Sequence, residues 1–214
     1  MIDISNALVI ISQAISVLPL VVGIICFRFL KSYLRPIFLL TIVAAFTEII
    51  IYLFRITNHN ILVGSYTYTL IEFILLSLFY IRFFSVYFKT YIFTINIFVF
   101  LLLCFISSCF FGNQLANQYN TAVESLVLTC YCLYLFYFLI KNLLFDNLLE
   151  TPVFWINTAV LFYFTGNLMI FVFNAYIAGH LSERNALLWN VTHTFFNVSM
   201  NILFSIGFWK ARAK

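Results

Sequence analysis

Three glutamates, one histidine and a set of amides stand inside stretches that are otherwise apolar. Glu48 lies in "PIFLLTIVAAFTEIIIYLFRI", with Tyr52 and Arg55 following at i+4 and i+7. Glu72 closes "SYTYTLIE", one turn after Thr69, and Glu124 opens "ESLVLTCYC". Residues 187–209, "LLWNVTHTFFNVSMNILFSIGFW", carry Asn190, His193, Asn197 and Asn201. At about 100° per residue these four, with Thr194, share an arc of about 100°. Asn157, Asn167 and Asn174 recur in "INTAVLFYFTGNLMIFVFN", where Gly166 permits close helix approach or a bend.

Carboxylates and an imidazole can bind a cation, exchange a proton or act as general acid and base. A charge at the bilayer centre costs roughly 2.5–3.5 kcal/mol. Such glutamates must therefore be paired, protonated or in contact with water. Glu48 and Glu72 fall at matched depth on neighbours joined by the short "TNHNILVG". If close, they share a proton or a cation, or Arg55 neutralises one of them. Interhelical hydrogen bonding, worth about 0.6–2 kcal/mol each, accounts equally well for the amide stripe.

The elements that must position these groups follow from composition. The chain of 214 residues is 64% hydrophobic and 8% charged, which belongs to an integral membrane protein. A spanning helix needs roughly 20 apolar residues. Candidate spans lie at 7–27, 36–56, 65–82, 91–111, 121–140, 153–177 and 187–209. The expected fold is an all-α integral membrane protein, one seven-transmembrane-helix bundle over residues 1–214. The runs are too long and unbroken for barrel strands. The amino terminus lacks the basic region of a cleaved signal, so the first span is expected to be retained.

Charge sets the orientation. With the amino terminus outside, inner segments hold Arg28, Lys31, Arg35, Arg82, Lys89, Lys141, Lys210, Arg212 and Lys214, leaving only Arg55 and Arg184 outside. That bias places the carboxyl terminus in the cytoplasm and makes nucleic acid unnecessary as a partner. The basic tail "KARAK" suits anionic headgroups. Trp155, Trp189 and Trp209 fall near interfaces as anchors. The five cysteines all lie within spans and suggest neither a disulfide framework nor a metal site.

Depth counting puts nearly all the polar groups in the outer half. A water-accessible outer pocket is expected, lined by Glu48, Tyr52, Arg55, Glu72, Glu124, Asn167, Asn190, His193 and Asn197. A buried cluster that only fixes packing is the competing account. No cofactor and no metal are expected, and the last helix lacks the central lysine of a retinal pigment. The segments "FWINTAVLFYFTGN" and "LWNVTHTFFNVSMNILFSIGFWK" resemble the last two spans of uncharacterised small bacterial seven-helix membrane proteins. They are similar to membrane sensor regions coupled to histidine kinases. The resemblance implies a bacterial inner (plasma) membrane protein and a sensory role.

The leading expectation is a receptor-like or sensory protein, binding a small polar or cationic ligand and signalling through a cytoplasmic partner. A small proton-linked transporter and an intramembrane acid/base or metal-assisted hydrolase are the alternatives. The lipid bilayer is the certain neighbour; a homo-oligomer is compatible with the sequence.

Overall fold

The computed structural model describes residues 2–57, 61–180 and 183–213. Within them, the side chains of 2–13, 52, 55–56, 61–63, 112–114, 173–180, 183–189 and 213 lie outside the description. Among the described residues the chain is helical, without strands. Six helical runs follow in order: α1 (Ile2–Cys26), α2 (Arg35–Ile56), α3 (Ile61–Phe84), α4 (Tyr91–Lys141), α5 (Pro152–His180) and α6 (Glu183–Lys210). Three short 3-10 turns, at Phe27–Phe29, Leu148–Glu150 and Ala211–Ala213, complete them.

Local chemistry explains several of the ends. Pro36 and Pro152 stand in the first turns of α2 and α5, where a missing N–H costs nothing. Between α4 and α5, the Asn147 side chain accepts from the Leu149 N–H at 3.0 Å. Trp155 Nε1 donates to the Leu149 carbonyl at 2.8 Å, tying the start of α5 to that turn. Leu143, just past the end of α4, adopts φ 45° without being glycine.

Four segments are long and apolar enough to cross a membrane: Gly64–Phe84, Tyr91–Phe111, Leu115–Lys141 and Pro152–Val172. Their exposed faces are as apolar as their buried ones. On the first part of α4, Phe93, Phe100 and Cys104 are buried while Phe98, Phe105 and Phe110 are exposed. A helix in lipid has no reason to carry a polar outer face, so helical periodicity shows in burial and not in polarity. The protein is an integral membrane protein.

Run α4 is not one straight rod. Ser107 Oγ lies 2.9 Å from Asn120 Oδ1, thirteen residues away. A straight helix would hold those positions about 20 Å apart. The run therefore folds back between them, near Gly112, into a first leg (91–111) and a second leg (115–141). The residues on both sides of the knee are helical with no extended connection between them, so the loop expected over 112–120 is replaced by two abutting helical legs. This corrects the sequence-based boundary. The polar stretch "GNQLANQYN" looks like a connection because its amides suit loops, but here Asn117 meets α3 and Asn120 meets the first leg.

The chain packs as two compact units, 31–124 and 1–30 with 125–214. In the first, α2 packs on α3, and Arg82 Nη1 donates to the Ser32 carbonyl at 3.1 Å. Helix α3 meets the first leg antiparallel: Tyr66 donates to the Cys104 carbonyl at 2.8 Å, Phe73 meets Phe100 and Phe84 meets Phe93. In the second unit, α6 packs on both α1 and α5. Gly166 of α5 makes the latter approach possible, because a Cβ there would overlap the Phe196 ring of α6. Close packing, and not a bend, is the use of this glycine.

Candidate functional site

The fold-back of α4 brings its second leg alongside α3 in parallel. Asn117 Nδ2 donates to Ser65 Oγ at 3.2 Å, and seven residues further along both helices Glu72 and Glu124 lie within electrostatic range of each other. Both pairs are separated by the same number of positions in sequence, so the helices run in register over two turns. Thr69 and Thr121 occupy the corresponding places between them, and each spends its hydroxyl on its own helix, at Ser65 O and Asn117 O.

The two carboxylates are buried, Glu72 at 5% exposure and Glu124 at 0%. Tyr68 donates to Glu72 Oε1 at 3.2 Å. Glu124 is different: among the described residues neither Oε1 nor Oε2 has a hydrogen-bond partner. Cys104 of the first leg also lies within its electrostatic reach, which puts Glu124 where α3 and both legs converge. Four further buried atoms are unpartnered among the described residues: Asn117 Oδ1 and Asn120 Nδ2 towards the knee, and the hydroxyls of Ser77 and Thr129 beyond the acid pair. Ser107 Oγ stands 2.9 Å from both Asn120 Oδ1 and the Cys104 carbonyl, and its single proton serves one of them at a time.

A buried polar group without a partner costs about 1–3 kcal/mol, and more when charged. A pair of adjacent carboxylates additionally needs a proton or cation to offset its repulsion. The cluster is therefore chemically incomplete as a purely structural device. Beyond Glu72, α3 carries the buried aromatics Phe73, Phe79, Tyr80 and Phe84 and one further buried polar side chain, Ser77, whose hydroxyl is unpartnered like that of Thr129 on the second leg. The Phe73 ring packs on Phe100 of the first leg, with centroids 3.9 Å apart.

In the other unit, His193 of α6 inserts into α5. Its Nδ1 lies 3.0 Å from Asn167 Oδ1, and Asn167 Nδ2 donates to the Tyr163 carbonyl at 2.9 Å. That second bond fixes the amide, so Oδ1 faces the ring and Nδ1 carries the proton. In the neutral ring Nε2 is then the acceptor. Tyr163 and Phe171, one turn either side of Asn167, flank the imidazole at 6.0 and 6.1 Å. Asn157 is buried and donates to the Cys132 carbonyl at 3.0 Å.

The nine expected pocket residues thus divide between the two units. Glu72 and Glu124 are brought together, although Glu48 was the expected partner of Glu72. Glu48 is half-buried on α2, with no hydrogen bond or ion pair among the described residues. The side chains of Tyr52 and Arg55 lie outside the described residues, as does that of Asn174. Asn167 and His193 form one bridge. Asn190 is exposed, and Asn197 accepts from Asn201 Nδ2 through both its carbonyl and its Oδ1, at 2.9 Å each. That part of the last helix's polar stripe bonds to itself.

Sequence reasoning missed Ser65, Tyr66, Tyr68, Ser107, Asn117 and Asn120. A signal for some of them was present. "SYTYTLIE" and "NQYNTAVE" both place a small polar residue, a threonine and a glutamate at i, i+4 and i+7. With a span beginning at 121, Glu124 counts as only about three residues deep. Counted from the knee it is about eleven residues deep, as Glu72 is from the start of α3.

No family model, curated protein or solved structure matches the chain. Fold and composition define its class as an all-helical integral membrane protein, and any activity must be argued from the site.

Proposed function

We propose that the protein is a receptor-like, sensory membrane protein of seven spans, with its amino terminus outside and carboxyl terminus in the cytoplasm. A small polar or cationic ligand binds between α3 and the second leg of α4, at Glu72 and Glu124. The change in helix packing is read by a cytoplasmic partner. The observation that carries this reading is Glu124, fully buried beside a second carboxylate with both of its oxygens unpartnered.

Other features support it. Counting α4 as two legs makes seven helical rods, in keeping with the seven apolar stretches of the sequence. The positive-inside bias puts the knee, the start of α3 and hence the polar cluster on the outer side. Arg35 and Arg82 fall at the opposite ends of α2 and α3, and Lys31 and Lys89 in the connections beside them. Beyond Ser77 and Thr129 the inner part of α3 is dominated by the buried aromatics Phe79, Tyr80, Phe83 and Phe84, which favours binding and signalling over transport. The resemblance of the last two spans to kinase-coupled sensor regions points the same way, and to a bacterial inner membrane.

The test is thermal unfolding of the purified protein with sodium chloride, methylammonium, ethanolamine, putrescine and small polar metabolites. The wild type is compared with a Glu72→Gln, Glu124→Gln variant. A ligand at about 100 times its Kd stabilises by roughly 2.7 kcal/mol. Stabilisation of the wild type alone, by any cation, supports the site. No response to any compound overturns it, and uptake of the compound into proteoliposomes would replace the sensor with a carrier.

A further inference from the structure

Resting on the reading of Glu72 and Glu124 as a binding site, we propose that its occupant is a single monovalent metal cation of the sodium class, competing with protons for the same carboxylates. The unpartnered acceptors here are oxygens, both of Glu124 and, about 10 Å nearer the knee, one of Asn117, while Glu72 adds a carboxylate whose Oε1 accepts from Tyr68. Oxygen-only sites select hard cations. Among the described residues there is no group of three His, Cys, Asp or Glu side chains of the kind a softer metal ion would require.

Divalent hard cations fit poorly. Calcium takes about 6–8 oxygen ligands and magnesium keeps several waters in octahedral geometry. Two carboxylates and an amide oxygen, spread over two turns, do not supply that shell. Charge leads to the same answer. One monovalent cation and one shared proton cancel the two carboxylates, leaving a neutral site in a low-dielectric interior.

Burial disfavours an organic ammonium. Glu124 is 0% exposed, and Phe73, next to Glu72, is packed on the Phe100 ring of the first leg. A carbon tail would have to separate helices that meet in register. A small ion needs only the polar column itself, from half-buried Ser65 and Asn117 at the knee end to Glu72 and Glu124, about 10 Å further in. The two pairs also explain how the ion would act. It draws α3 and the second leg together where the bare carboxylates would force them apart.

Thermal unfolding in sodium chloride is compared with N-methyl-D-glucamine chloride at equal ionic strength, at neutral and acidic pH. Sodium raises Tm saturably, and its apparent Kd weakens by up to about tenfold per pH unit as protons displace it. Glu124→Gln abolishes the response, while Asn201→Ala, in the other unit, retains it. Radiolabelled sodium binding to the wild type, competed by acid, gives the same answer without any variant. Equal Tm in both salts, with no saturable sodium binding, overturns the proposal. So does a sodium response that survives Glu124→Gln. Stabilisation by methylammonium and not by sodium overturns the ion assignment while leaving the acid pair as a ligand site. A sodium response seen only in Arg55→Ala also overturns it and identifies Arg55 as the native counter-charge.

Discussion

Ser107 and Asn120 stand thirteen residues apart in one helical run, yet their side chains meet at 2.9 Å. That contact requires α4 to fold back, and the fold-back is what lays Glu124 beside Glu72. A proximity test follows. In a cysteine-free background, Ser107→Cys with Asn120→Cys is expected to cross-link with a short bifunctional reagent. A straight helix would hold the thiols about 20 Å apart, so absence of any product would remove the knee.

The acid pair predicts an inverted mutational effect. Replacing a buried carboxylate usually destabilises, but Glu124 has no hydrogen bonds to lose and a repelling neighbour. In sodium-free buffer Glu124→Gln should raise stability, by about 1–4 kcal/mol by analogy with other buried ionic groups. Denaturation in mild detergent measures it. A loss of several kcal/mol would mean that Glu124 is satisfied by a native partner.

Gly166 and Phe196 form the tightest approach between α5 and α6. Gly166→Ala is expected to cost about 1–3 kcal/mol through overpacking. Adding Phe196→Leu should recover part of that, because the clash lies wholly on the ring. A double-mutant cycle in thermal stability reads the coupling, and strict additivity would sink the explanation.

His193 is held in one tautomer by Asn167. Nitrogen-15 spectra of histidine-labelled protein should show a protonated Nδ1 and an unprotonated Nε2 at His193. Asn167→Ala should lose that preference and about 1–3 kcal/mol of stability through the orphaned N–H. An unchanged tautomer would place the control elsewhere.

Tyr33, in the turn before α2, packs against Phe79 and Phe83. Burial, with a smaller contribution from Tyr87, pushes its hydroxyl from 10.0 up to about 12. The unfolded chain then ionises first, so the contribution of Tyr33 is complete below about pH 10 and is lost as pH rises towards 12. Tyr33→Phe should flatten that alkaline decline in Tm. A decline identical to wild type would count against the burial.

Much of the fold was legible because a bilayer leaves few choices. Unbroken apolar runs such as that of α3, and prolines such as Pro36 and Pro152, mark helices and their starts without reference to neighbours. The polar residues were also visible as exceptions to their surroundings. Their partners were not legible. Short loops suggest that adjacent helices pair, which made Glu48 the natural companion of Glu72. The neighbouring carboxylate lies on a leg that returns through a knee with no extended loop to mark it.

By itself, then, the sequence determined the all-helical membrane class, the apolar stretches and the presence of intramembrane carboxylates, since each depends on local composition alone. Only the tertiary structure decided that α4 turns back, that Ser65 meets Asn117 and that Glu124 comes within electrostatic range of Glu72. It also decided that Asn197 and Asn201 bond along their own helix while His193 reaches across to Asn167. Those outcomes depend on which helix faces which, and in a chain whose buried and lipid-facing surfaces are equally apolar, hydrophobicity does not encode that choice.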